Sequence, residues 1–226
     1  MSLSNGFESV ARRLARPLTA LCKQQGLDPI LVFERATLWL GWTGLTWLAF
    51  LVSLLFIEVG GRNDLSGIDG LLGGALIGSA QWLVLRGHVQ RAYRWIVVSV
   101  LIWGALAFVD VGAIGWMAPD IPFDANGLFL RSRLGLFYGG YVGLILGLGQ
   151  WWVMHRQMVQ AWRWIPLTVG IWAVAIALGW LVGGAVRAAS HLFVGEVVGL
   201  MVAWGAIAPL SGIGIVGIIY SARRVS

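Results

Sequence analysis

The sequence predicts an all-α integral membrane protein, a six-transmembrane-helix bundle with an internal parallel repeat of helical hairpins. Three observations carry that expectation. Only 12% of the 226 residues are charged and 58% are hydrophobic, whereas a soluble domain has about a quarter of its residues charged. Six runs approach the length of about twenty mostly apolar residues that a bilayer crossing needs. Two of the hairpins these runs form also share a segment that aligns without gaps. The composition, with a mean hydropathy of +0.81, excludes a soluble enzyme. A net charge of +6 would suit nucleic acid in a soluble chain. In a membrane chain, Lys and Arg instead set topology and mark the interface, so no nucleic-acid partner is expected.

Residues 1–35 read as a cytoplasmic basic tail carrying Arg12, Arg13, Arg16, Lys23 and Arg35. No basic start followed by an apolar stretch and a small-residue cleavage site is present, so the first span is expected to serve as its own insertion signal. Phe7, Val10, Leu14, Leu18 and Leu21 recur at the spacing of one helical face, which suits a helix lying on an anionic membrane surface. The competing reading is an amphipathic helix packed on the protein's own loops, and Pro17 interrupts both. Cys22 is the only cysteine, which leaves no intrachain disulfide and no cysteine-built metal site.

Residues 36–226 form the membrane domain, with spans expected at 36–57, 67–85, 95–118, 134–154, 164–186 and 191–220. Runs of this length with scattered glycine read as helices, because outer-membrane strands would alternate over about ten residues. The last run contains Pro209, a point at which it is expected to kink, tilt or break. Twelve basic residues fall on the side of the termini and the even-to-odd loops, against Arg62, Arg131, Arg133 and Arg187 on the other. Both termini are therefore expected to be cytoplasmic, in a bacterial inner membrane or a thylakoid.

Gly70–Trp103 aligns on Gly139–Trp172 at a constant shift of 69 residues, with thirteen of 34 pairs identical. We read this as a duplication, with repeat units of about 66–118 and 135–187. Both copies enter the membrane from the same side, which relates them by an axis along the membrane normal, unlike the inverted repeats of many transporters. The sixth span carries a partial echo in Gly195 and Gly199, with Val202 where glutamine would stand.

Gly70, Gly74, Gly78 and Gln81 form one stripe along a helix, and Gly139, Gly143, Gly147 and Gln150 repeat it. Small residues let two helix backbones approach closely enough for van der Waals contact to hold them in lipid. A glutamine at the end of such a stripe is expected to bond across to a neighbouring helix rather than to a ligand. Eight of the fourteen tryptophans, Trp82, Trp95, Trp151 and Trp164 among them, fall near the inner end of the spans. An interfacial aromatic belt accounts for them, with a partner surface or a flat apolar cofactor as the alternative.

The stretches GALIGSAQWLVLR and GLILGLGQWWVMH, each followed by a short basic loop, an Arg-Trp pair and a further span, resemble a repeated GxxxGxxQWxxLR signature. That signature occurs in small polytopic membrane proteins found mainly in cyanobacteria and related bacteria. The resemblance covers roughly residues 66–218 and implies a multi-span membrane protein, a photosynthetic-membrane setting by association, and no particular activity. The chain departs from the signature at Met154 and His155, where Leu-Arg is usual, and adds a longer basic tail.

Two acids, Asp110 and Glu196, lie within the expected spans at similar depth, near Arg187 and His191. An intramembrane carboxylate is costly and generally pairs or faces a polar cavity. The four residues therefore either form an outward-facing site for a small ligand or a proton, or consist of acids bridged to Arg187 for stability. His88, His155 and His191 show no metal-ligand spacing, and no nucleophile motif, P-loop or dinucleotide fingerprint occurs. No catalytic residue and no metal site is expected, and the identity of any cofactor, haem or pigment included, stays open. The resulting expectation is a non-enzymatic subunit or assembly scaffold that packs against a larger membrane complex, a membrane protein partner or a second copy, through its glycine stripes and inner-face tryptophans. A small-solute transporter using Asp110 and Glu196 is the alternative.

Overall fold

The computed structural model describes residues 28–57, 66–109 and 121–222. These residues form an all-helical protein of six α-helices: α1 Pro29–Ser53, α2 Gly67–Leu85, α3 Tyr93–Phe108, α4 Ala125–Met154, α5 Trp164–Ser190 and α6 Val194–Ala222, with a 3-10 turn at Ala161–Arg163 before α5. Four are long and apolar enough to cross a membrane: α1, α2, the segment Ala161–Ser190 and α6. Helix α3 is apolar but has 16 residues, and α4 carries Arg131 and Arg133 within its 30 residues. The protein is a membrane protein built from helices.

Capping explains where several elements start. Asp28 accepts the Ile30 N–H at 2.9 Å and Pro29 occupies the first helical position, where a missing N–H goes unnoticed. Helix α1 therefore begins at Pro29 rather than at 36, and Arg35 belongs to it rather than to a tail. Ser66 and Asp69 form a reciprocal capping box at the start of α2. Asp124 accepts the Gly127 N–H at 2.6 Å, so α4 starts at Ala125, well before the expected 134. Helix α6 runs unbroken through Pro209. The carbonyl of Pro209 accepts the Trp39 indole N–H at 3.0 Å, which ties the last helix to the first. The amphipathic stretch 7–21, Cys22 and Asp110 lie outside the described residues.

Each helix packs against its neighbours in sequence, and α6 returns to α1, so the six close into a ring. Tryptophan fills the centre. Trp42 of α1, Trp95 of α3 and Trp164 of α5 are fully buried, with ring centroids 5.9, 6.2 and 6.1 Å apart. Two helical turns further along the same three helices stand Phe50, Trp103 and Trp172. All three meet Trp204 of α6 at 5.2, 6.2 and 5.6 Å. Edge-on and offset aromatic pairs at these separations add stabilisation beyond the area they bury. Trp95 and Trp164, grouped by sequence with an interfacial belt, are thus at the heart of the bundle, and the expectation is corrected for them. Trp82 and Trp151 are only partly buried.

The glycine stripes are consumed inside the hairpins. A Cβ on Gly74 would lie 2.7 Å from the Ser99 carbonyl oxygen, and one on Gly70 would lie 2.5 Å from that of Trp103. In the second copy Gly139 meets the Trp172 carbonyl, Gly143 the Thr168 carbonyl, and Gly147 the Thr168 hydroxyl. The stripe of α2 therefore faces α3, and that of α4 faces α5. Neither stripe is left for an outside partner, and the expectation that they pack against a larger complex is corrected.

Candidate functional site

Gln81 and Gln150 are buried, and each accepts one indole N–H. Trp95 Nε1 donates to Gln81 Oε1 at 2.8 Å and Trp164 Nε1 donates to Gln150 Oε1 at 2.8 Å. The glycines one to three turns away bring each helix pair close enough for the side chains to meet. Trp42 makes the corresponding bond to Ser211 Oγ at 2.9 Å, and Ser211 in turn bonds the Ala208 carbonyl. All three central indoles are therefore satisfied by the helix beside them, as buried N–H groups require.

Between the two aromatic levels lies a layer of hydroxyls. Thr46, Ser99 and Thr168 each sit one turn beyond a central tryptophan and are fully buried. Thr168 Oγ1 donates back to the Trp164 and Ile165 carbonyls, at 2.8 and 2.9 Å. The hydroxyls of Thr46 and Ser99 find no hydrogen-bond partner. Three helices thus share one pattern, Trp42-Thr46-Phe50, Trp95-Ser99-Trp103 and Trp164-Thr168-Trp172. The comparison of two gapless copies overlooks the first member because it precedes them. The repeated spacing of four residues is the signal that could have found it. The residue taking the glutamine role on α6 is Ser211, not Val202. Gly195 and Gly199 serve a different contact, lying against Gly183 and Gly179 of α5.

At the opposite end of the hairpin α5–α6, Glu196 is 7% exposed and Arg187 37%. Arg187 Nη1 donates to Glu196 Oε1 at 2.6 Å. A short charge-assisted bond of this kind offsets the burial of the carboxylate. His191 is exposed, ends α5 in a left-handed conformation (φ 55), and bonds through its backbone N–H to the Arg187 carbonyl at 2.8 Å. Of the four candidate ligand residues, Glu196 and Arg187 are joined and His191 stands beside them in the chain. Arg131, counted in sequence only as an outer basic residue, is even more buried than Glu196. It donates to the Ile121 carbonyl at 2.6 Å and lies against α5 at Gly184, where a Cβ would come within 3.0 Å of its guanidinium. Among the described residues no group of three or more His, Cys, Asp or Glu could hold a metal.

No model of a known protein family matches the chain, and neither curated proteins nor solved structures offer a similar one.

Proposed function

We propose that the chain is a non-enzymatic integral membrane protein that serves as a subunit or assembly scaffold of a membrane complex. The observation that supports this reading is where the polar interior goes. The three central indoles, Gln81, Gln150 and Glu196 are each engaged in a bond from one helix to another, so they act as joints of the bundle. The Arg187–Glu196 contact supports a bridge between α5 and α6 over a solute-transport site at that end.

The six helices are read as six spans and as three hairpins, α2–α3, α4–α5 and α6–α1. The third is assembled from the two ends of the chain, and its tryptophan, hydroxyl and aromatic positions follow those of the two gapless copies. Both termini are placed on the cytoplasmic side by the count of basic residues.

With the glycine stripes occupied internally, a protein partner would meet the exposed side chains of the basic end. Tyr93, Trp152, Val159 and Trp162 stand out there as large exposed hydrophobics. Photo-crosslinking in cells from residues placed at 159 and 162, with position 101 of α3 as a lipid-facing control, tests the subunit reading. It requires an adduct of one defined mass from 159 or 162 and none from 101. Only lipid adducts from all three positions would defeat it. An absorbance spectrum of the gently purified protein tests for bound haem, chlorophyll or carotenoid.

A further inference from the structure

The loops at the basic end enclose a cleft of about 530 Å³ between the α2–α3 connection and the end of α4, lined by Arg91, Arg94, Arg156, His155, Trp152 and Gln157, among others. No carboxylate lines it. Among the described residues none of the three arginines pairs with an acid, so three arginines line one space without a counter-charge.

The cleft is also held in shape. Gln157 Oε1 accepts the Gln90 backbone N–H at 2.6 Å, and Gln157 Nε2 donates to the Gln90 carbonyl at 3.1 Å. This reciprocal pair clamps two loops that are far apart in sequence. His155 Nδ1 meets the Trp152 carbonyl at 2.8 Å. Arg94 lies over the Trp152 ring, 5.7 Å from its centroid, a contact that orients the guanidinium. Arg91 adopts a left-handed backbone, φ 54, a conformation that glycine enters without strain and an arginine rarely occupies.

We propose that this cleft binds a phosphate group, presented as the headgroup of an anionic phospholipid. Guanidinium forks match phosphate oxygens in geometry as well as charge, and basic pockets beside membrane helices suit such headgroups. The lipid source follows from what adjoins the cleft. Above Trp152, Leu148, Leu144 and Tyr141 of α4 are exposed at helical spacing, and Val97 and Leu101 of α3 are exposed beyond Arg94. Between these two rows the helices touch where Val98 and Ile102 meet Gly149. The seam offers acyl chains an apolar path that ends at the arginines. The chain's own first 27 residues carry four basic residues against Glu8 alone, so their charge opposes rather than complements the site.

The test uses the full chain, delipidated in neutral detergent, with dioctanoyl phosphatidylglycerol, dioctanoyl phosphatidylcholine and inorganic phosphate as probes in a binding titration. The wild type is expected to bind the phosphatidylglycerol at least about tenfold more tightly than the phosphatidylcholine. The triple variant Arg91→Gln, Arg94→Gln, Arg156→Gln is expected to lose that preference, as is, in part, the single loop variant Arg156→Gln, with an unchanged thermal melt. The pair Arg86→Gln, Arg163→Gln, outside the cleft, is expected to keep it. Equal binding of the two lipids, or a preference that survives the triple variant or falls equally in the outside pair, overturns the proposal. Inorganic phosphate that binds as tightly and displaces the phosphatidylglycerol overturns the lipid source and leaves a free-phosphate site.

Discussion

Trp95 and Gln81 stand on facing helices of one hairpin and share a buried hydrogen bond of 2.8 Å, and their counterparts 69 residues on, Trp164 and Gln150, share one of the same length. The two bonds sit at the same depth and flank one aromatic cluster. If these side chains act as joints, removing the acceptor strands an indole N–H in the bundle centre. Removing both partners should cost less than the sum of the single changes. For the cycle Gln81→Leu with Trp95→Phe we expect a coupling of about 0.6–2 kcal/mol, the range for such bonds between membrane helices. Denaturation in mixed micelles measures it, and a coupling indistinguishable from zero would remove the joint from the account.

The glycines divide into two classes that a single substitution tells apart. Gly74→Ala and Gly143→Ala place a methyl group at or below 2.7 Å from a backbone carbonyl oxygen of the facing helix, a contact relieved only by moving the helices apart. Gly44 and Gly170 have nothing within 4 Å of the same position. The first pair is expected to lower the melting temperature by several degrees, on the scale of ~2–4 °C per kcal/mol. The second pair is expected to leave it unchanged or raise it, since alanine favours the helix by about 1 kcal/mol. A melt series on the four variants decides the matter.

Glu196 and Arg187 predict an asymmetry. Arg187→Met leaves a carboxylate that is 7% exposed without its short bond, whereas Glu196→Met leaves a guanidinium whose side chain is 37% exposed. The first change is expected to destabilise more, by on the order of 1–3 kcal/mol, and the double change Arg187→Met, Glu196→Met should recover part of the loss. Equal effects, or transport lost in the Glu196 variant with stability intact, would favour a solute site in place of a bridge.

The hydroxyls of Thr46 and Ser99 are buried without partners, and an unmet hydroxyl in an apolar interior costs about 1–3 kcal/mol. Thr46→Val and Ser99→Ala are therefore expected to leave stability unchanged or raise it. Thr168→Val, which removes two bonds back to α5, offers no such relief. Thermal melts of the three variants check the order.

Much of this architecture is legible in the sequence, and the exceptions have physical causes. The length of α2 and the C-terminal ends of α2 and α4 follow from hydropathy alone, because apolar runs end where the basic loops begin. The start of α4 does not follow, since Asp124 caps a helix that takes Arg131 into the protein interior, where hydropathy counts it as a loop residue. The Trp95 and Trp164 side chains illustrate a further limit. At a membrane interface a tryptophan facing lipid and one facing inward have the same depth, and only the packing partner distinguishes them. The proposed third hairpin escapes alignment because its two helices are the first and last of the six described and its acceptor is Ser211 rather than glutamine. At the candidate site, Arg187 and Glu196 are close in sequence, and a tight turn between α5 and α6 lets them meet. The basic cleft is hidden because Arg91 and Arg156 come from loops far apart in sequence, which the Gln90–Gln157 clamp joins.

Helices α1 and α6 close the ring, and we read them as a hairpin like the other two. The two helices come close at Gly212, where a Cβ would lie 3.1 Å from Thr43 Oγ1. The most direct measurement is disulfide formation in membranes by the pair Thr43→Cys, Gly212→Cys in a Cys22→Ser background, against the control pair Gly44→Cys, Gly212→Cys. Rapid intrachain cross-linking of the first pair, seen as a reducible mobility shift, with little in the control is the predicted result. No intrachain cross-link in the first pair, in a protein that is otherwise folded, would contradict the closed ring and the third hairpin with it.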